Sequence, residues 1–398
     1  MKMRGEIMNE KYIINDICDV GSSKRIYLSE YQDSGIPFYR GKEIIEKDSN
    51  KEISNELFIS QKRYNEIKEK FGVPKKGDIL MTAVGTIGIS WYVNEEDFYF
   101  KDGNLIWFKN FKKDIVNSRY LYYIFKSKIF SEIIKNISIG STQKAITIEQ
   151  VKKIELEFPK IEIQNKIVKI LDNISNKIKL NNEINNNLYD FGKSYFEDFI
   201  SNCDREVAIK DIADEVLDYT KNKNDKVKLL NSSDVTENIF PKVKFVDNKD
   251  LKGHFKKRFK KHDILYSQIR PRNHHYGYVL LDDSENYLAS TRFMVVRNKK
   301  EKVSSSLLYY YLTSKNAVED FTTKTELRSG TFPQGNYEDL SSYVVKYSSN
   351  QESITKILDL ILETINNNNN ENEKLSELRD TLLPKLMNGE IDLDNIEI

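Results

Sequence analysis

The chain repeats itself. Gln164-Asn165-Lys166-Ile167-Val168-Lys169-Ile170-Leu171-Asp172 returns 187 residues later as Gln351-Glu352-Ser353-Ile354-Thr355-Lys356-Ile357-Leu358-Asp359, and Leu121-Tyr122-Tyr123 returns at the same offset as Leu308-Tyr309-Tyr310. Upstream, Ile14-Asn15-Asp16-Ile17 echoes Ile209-Lys210-Asp211-Ile212 after 195 residues, and Asp78-Ile79-Leu80 echoes Asp263-Ile264-Leu265 after 185. A fixed offset at the back and a drifting one at the front describe two copies of a variable module, each followed by a stiffer element. A length of 398 residues also favours two or more domains over a single core.

The stiffer elements carry a helical period. Ile167, Leu171, Ile174, Ile178, Leu188, Phe191, Tyr195 and Phe199 recur mostly every three or four residues, the spacing that lines one helix face. The second copy presents Ile354, Leu358, Ile361, Ile365, Leu375, Leu378, Leu382 and Leu386 at the matching positions. Asn181 and Asn368 fill the gap in each stripe; they are either register-fixing polar residues or members of drift-prone Asn runs. Each helix spans about 35 residues, hence roughly 50 Å. A single apolar stripe does not persist in water without a partner, so the two stripes are expected to pack on each other, antiparallel. Pro384 is expected to loosen the second helix near its end.

The modules read as mixed. Runs beginning at Asp78, Gly88 and Asn104 look like strands around Gly-containing turns, and runs beginning at Asp263, Tyr278 and Arg292 occupy the same order in the second copy. Each set is followed by an amphipathic helix, about 118–135 and about 304–321. The expected fold class is therefore α+β: two similar modules in a pseudo-twofold arrangement, separated by two long antiparallel helices. The expected boundaries are 1–160 for the first module, 161–201 for the first long helix, 202–349 for the second module, 350–388 for the second helix and 389–398 for a tail.

Charge is balanced overall, at +1, but not locally. Between Pro241 and His275 stand eleven Lys or Arg against three acids. Such an excess suits phosphate contact, although a basic run also makes an ordinary solvated face. Enzyme signatures are missing. No phosphate loop and no Asn/Asp-Pro-Pro-Tyr/Phe motif of adenine-amino methyltransferases occurs, and Gly85-Thr86-Ile87-Gly88 is too short for a cofactor cradle. The four histidines lack metal-ligand spacing, and Cys18 and Cys203 cannot make a zinc site by themselves. Cys18 aligns with Ala213, which reads as a buried small side chain. No apolar run approaches the about 18 residues of a membrane span, and the expected location is the cytoplasm.

Several ordered motifs resemble the specificity subunit of type I restriction–modification systems. They are Ile36-Pro37-Phe38-Tyr39-Arg40-Gly41-Lys42-Glu43-Ile44, then Gly77-Asp78-Ile79-Leu80-Met81-Thr82 with Gly85-Thr86-Ile87-Gly88. Gly140-Ser141-Thr142-Gln143-Lys144-Ala145-Ile146, Phe158-Pro159 before Gln164, and Leu382-Leu383-Pro384-Lys385-Leu386-Met387-Asn388-Gly389-Glu390 complete the series. The chain departs from the family at Ile163, where an acid usually precedes the Gln, and at Val344-Val345-Lys346-Tyr347, where the Pro is lost. The resemblance implies a non-catalytic subunit that reads double-stranded DNA. Two methyltransferase subunits would dock on its long helices, and motor-nuclease subunits would join for cleavage. S-adenosylmethionine, ATP and Mg would sit on those partners only, and none on this chain.

Base readout needs polar side chains on exposed loops, and backbone anchoring needs Lys and Arg. In the first module the candidates are Tyr39, Arg40, Lys42, Thr82, Thr86, Ser141, Thr142, Gln143 and Lys144. In the second they are Ser267, Gln268, Arg270, Arg272, Asn273, His274, Arg328, Ser329, Thr331 and Gln334; no metal site is expected. Two other readings stay open: a methyltransferase or nuclease with an unrecognised site, and a coiled-coil scaffold that binds no nucleic acid.

Overall fold

A computed structural model describes residues 9–49, 53–138, 144–219, 221, 223–251, 253–299, 302–328, 333–387 and 390–391. The chain forms two compact units, one of residues 1–176 with 374–398 and the other of residues 177–373.

Unit 1 is built on a four-stranded sheet of β1 (Asp19–Gly21), β2 (Ile79–Thr82), β3 (Ser90–Tyr92) and β4 (Leu105–Lys109), in the order β1-β4-β2-β3 and antiparallel throughout. Unit 2 repeats it with β5 (Ala213–Glu215), β6 (Ile264–Ser267), β7 (Tyr276–Tyr278) and β8 (Phe293–Asn298), in the order β5-β8-β6-β7. A second small sheet in each unit differs between the copies. Both are four-stranded and share a parallel pair, Ile36–Tyr39 with Tyr99–Phe100 in unit 1 and Lys226–Leu230 with Tyr287–Ser290 in unit 2, but their other strands are ordered differently. Insertions and deletions thus collect in the second sheet, where the sequence offset drifts.

The repeated Asp-Ile-Leu motif has a structural role. Asp78 is nearly buried and accepts from the Trp107 indole at 2.8 Å, and Asp263 accepts two hydrogen bonds of 2.7 Å from Arg297. Both clamp β2 or β6 to its neighbouring strand without leaving a buried carboxylate unpaired. Cys18 and Ala213 each end a one-turn helix and are buried; burial pushes the Cys18 thiol up to about 12.

Each amphipathic segment behind the sheet is two helices, not the single helix its period suggests. Unit 1 has α1 (Ser118–Lys126) and α2 (Lys128–Ile137). The break falls at Ser127, whose hydroxyl accepts from the Phe130 amide and caps α2. Serine competes well with helix backbone in this way, and the apolar spacing carries on across the break.

The first long helix, α3, runs Ile161–Ser201, starting in unit 1 and ending in unit 2. Gln164, fully buried near its start, donates to the carbonyls of Ile115 and Pro159 and accepts from the Asn117 amide. Unit 2 repeats the break at Ser314, between α4 (Ser305–Thr313) and α5 (Lys315–Glu326). The second long helix, α6, runs Glu352–Met387 and continues three residues past Pro384. Gln351 before it donates to the Lys302 carbonyl, the duplicate of the Gln164–Ile115 bond.

Within each unit the two long helices lie against each other. In unit 1, Ile167 and Leu171 share a core with Leu383 and Leu386. In unit 2, Asn181 donates to Glu371 (2.7 Å) and Asn372 (2.9 Å), Asn372 donates to Asn182 (2.8 Å), and Asn185 exchanges bonds with Asn369 and Asn368. Rising numbers on one helix meet falling numbers on the other, so the pairing is antiparallel. Asn181 is 1% exposed. The Asn stretch is therefore a buried polar layer that fixes one alignment, since sliding would strand these amides. The stripe itself drifts: Phe191 and Leu378 are about half exposed, and Phe196, Leu362 and Leu383 are buried instead.

Asn181→Ala should lower the unfolding free energy by about 1–3 kcal/mol in urea titration, because Glu371 and Asn372 lose a buried donor. The exposed Leu180→Ala control should stay within about 0.5 kcal/mol. Equal effects would show that the Asn layer does not hold the alignment.

Candidate nucleic-acid interface

The turn after β2 and its counterpart after β6 are built alike. Thr82 is 1% exposed, and its hydroxyl accepts from the Ile89 amide at 3.0 Å. Gly85 then donates to the Lys144 carbonyl and Ile146 to the Ala83 carbonyl, pinning the turn to the segment that follows α2. In unit 2, Ser267 is 2% exposed and accepts from the Ile269 amide, while Gly335 donates to the Gln268 carbonyl. An isolated bridge between Ile269 and Gln334 matches the one between Val84 and Ala145. The two loop segments chosen from sequence in each module therefore meet.

The turns differ in what they carry. In unit 1 the left-handed positions are Gly85 (φ 78°) and Gly88 (φ 80°). In unit 2 the equivalent positions hold Arg270 (φ 48°) and His274 (φ 54°), bracketing a tight turn at Pro271–Asn273. Left-handed backbone disfavours a side chain by roughly 1–2 kcal/mol, and such outliers gather at functional sites. His274 pairs with Glu237 at 2.8 Å, and His275 contacts the Thr236 hydroxyl and the Val235 carbonyl.

Beside this turn lies a groove of about 880 Å³. Arg270, Arg272, Asn273, Arg292, Gln334 and the pair Ser232 and Ser233 line it, with Glu326 from the end of α5. Among the described residues Arg270 and Arg292 have no acid partner, whereas Arg272 donates to Glu326 through Nε (3.1 Å) and Nη2 (3.3 Å). The hydrogen bond from Arg272 holds the Glu326 carboxyl below its ordinary value. The groove offers guanidinium and amide donors with one carboxylate acceptor, a set suited to phosphates and base edges.

The other sequence candidates fall into three groups. Thr86 and Lys144 of unit 1 and Gln334 of unit 2 are exposed on the paired loops; Gln268 is partly exposed there, and Lys42 is exposed at the start of the helix Gly41–Asp48. That helix packs on β2 and β3, and its Gly41 faces Thr82. A second group is corrected by burial or pairing. Tyr39 is 4% exposed, stacked on Phe98 with centroids 4.9 Å apart, so it belongs to the core. Thr82 and Ser267 shape their turns rather than face a ligand. Arg40 is committed to the buried Glu43: burial alone would raise that carboxyl, but the hydrogen bonds from Arg40 outweigh it and hold it low. Arg328 is clamped on Asp339, the residue that closes the capping box of the helix Tyr337–Ser341. The third group, Ser141, Thr142, Gln143, Ser329 and Thr331, lies outside the described residues.

Sequence reading missed Arg292, Ser232 and Ser233, which reach the groove from the loops that follow the parallel strands of the second sheet; the pairing of Leu230 with Ala289 brings their two segments together. The basic run is also less uniform than its composition. Lys257 is 3% exposed and bonds Glu215 and the Phe293 carbonyl, and Lys261 pairs with Asp282. Among the described residues no group of three or more His, Cys, Asp or Glu could hold a metal ion, and no helix is long and apolar enough to cross a membrane.

Comparison with known proteins gives the same picture. Residues 8–189 and 205–377 each match the family model of the type I restriction modification DNA specificity domain. The chain is 37% identical over 160 residues to the type I restriction enzyme HindI specificity subunit of Haemophilus influenzae, covering 39% of this chain and 34% of that one. It is 31% identical over 209 residues to the MjaIX specificity subunit of Methanocaldococcus jannaschii, covering 51% and 47%. The chain thus spans less than half the length of these curated relatives in each match. Its fold is similar to the crystal structure of a type I restriction–modification S subunit from M. genitalium, with TM-score 0.61, 15% identity and 97% and 98% of the two chains covered. Two matches of the domain model cover most of the sequence, and they fall on the two duplicated units: the chain belongs to the type I restriction–modification DNA specificity family.

Proposed function

We propose that this chain is the non-catalytic, cytoplasmic DNA-reading subunit of a type I restriction–modification complex, and that each unit reads one half of a split, asymmetric target. The observation that carries this is the pair of strand turns. Both are anchored alike, by an isolated bridge to the segment behind the helices, and they differ in almost every side chain; unit 2, whose turn is one residue longer, accepts left-handed Arg270 where unit 1 has Gly85. A frame held constant while its tip varies is what reading two different half-sites requires.

In unit 2, Arg270, Arg272, Arg292, Asn273 and Gln334 face duplex DNA from the groove. In unit 1, the exposed Lys42, Thr86 and Lys144 face the DNA. The exposed apolar residues Leu180, Ile184, Phe191 and Leu360 on α3 and α6 give methyltransferase subunits a surface to cover. Those subunits bring S-adenosylmethionine, and motor-nuclease subunits, where present, bring ATP and Mg.

The direct test is to compare the adenine methylation of cells with and without this gene. A two-part motif methylated on both strands should vanish with the gene, and unchanged methylation contradicts the reading. Calorimetry of the purified chain should find no S-adenosylmethionine binding; clear binding would favour a stand-alone methyltransferase. Arg270→Gly should raise the unfolding free energy by about 1 kcal/mol by relieving the left-handed strain. The same variant should weaken binding to target DNA about tenfold or more. A variant that binds as tightly as the parent removes Arg270 from the interface.

A further inference from the structure

Among the described residues lining the unit 2 groove, Glu326 is the single acid. On a surface meant only to grip phosphates it is a defect: it repels the backbone and neutralises Arg272, one of three arginines placed there. Its position is nonetheless well determined. It is the last residue of α5, and α5 packs on the Pro271–Asn273 turn that aims Arg272.

A carboxylate beside a guanidinium has a use against a base pair. In the major groove guanine shows two acceptors, N7 and O6, and its cytosine partner shows the N4 amino donor next to them. Arg272 spends Nε and one Nη2 hydrogen on Glu326, which leaves Nη1 and the other Nη2 hydrogen free to donate. The carboxylate oxygens keep lone pairs that accept. The joined pair therefore presents donors beside an acceptor, the complement of acceptors beside a donor.

From this we infer that Arg272 and Glu326 work as one reader of a G·C pair, Arg272 donating to guanine and Glu326 accepting from the cytosine N4 amino group. The inference rests on the DNA-reading role proposed above and adds the identity of one base pair and of the residue that reads its cytosine.

The test starts with the full chain and a pool of random duplexes. In the selected duplex, each G·C pair of the unit 2 half-site is altered in turn. 2-Pyrimidinone replaces cytosine to delete the amino group, and 7-deazaguanine replaces guanine to delete N7. At one pair, each analogue should weaken binding by the parent chain about tenfold. Glu326→Ala should bind more weakly overall yet respond by less than about twofold to the missing amino group, and Arg272→Ala should be similarly indifferent to the missing N7. If Glu326 merely aims Arg272, the amino deletion weakens the parent and Glu326→Ala by the same factor, which overturns the inference. It is likewise overturned if no G·C pair in that half-site responds. A parent chain that selects no sequence at all would instead sink the DNA-reading role beneath it.

Discussion

Two long helices, each with one apolar side, cannot stand in water uncovered, and the fold is organised around covering them. The first part of α3 and the last part of α6 close the core of unit 1; the rest of α3 and the first part of α6 close that of unit 2. The final helix of the chain thus supplies Leu383 and Leu386 to the unit built mainly from its beginning. Such distant contacts are slow to form, so the alignment of the helices must be chosen well. The Asn layer makes that choice. Apolar side chains would tolerate a slip along the seam, whereas Asn181 and Asn185 find hydrogen-bond partners in one alignment.

On that base each unit holds a turn in a fixed frame. Buried Thr82 and Ser267 shape the two turns, and backbone bonds tie each to the segment behind its helices. The frame asks for left-handed backbone at two points. Glycine meets the demand in unit 1 without strain. Unit 2 meets it with Arg270, which lines the groove, and His274, which pairs with Glu237. The strain there, roughly 1–2 kcal/mol at each position, is of the same order as the about 1–3 kcal/mol that the proposed guanidinium contact to a base edge would contribute.

Much of this was legible in the sequence because its signals are periodic or duplicated. The 187-residue offset located both long helices, and the Asp-Ile-Leu echo located β2 and β6. What escaped is set by tertiary contact. Ser127 and Ser314 interrupt helices whose apolar period continues unbroken. Phe191 and Leu378 share the spacing of the buried stripe, yet the seam turns away from them. Tyr39, Arg40 and Arg328 look like loop residues in a string of letters, but one is core and two are bound to acids that shape helix starts. Arg292 and the Ser232–Ser233 pair lie far from the groove in sequence and reach it through a parallel strand pairing that local patterns do not announce.

We propose that the two paired-loop turns are the faces that meet DNA. Hydrogen–deuterium exchange of the full chain, with and without its selected duplex, tests it most directly. New protection is expected at residues 83–89 and 144–146 of unit 1 and at 268–275 of unit 2, with the helix pair unchanged. Protection confined to α3 and α6, with the turns exchanging as in the free chain, would contradict it.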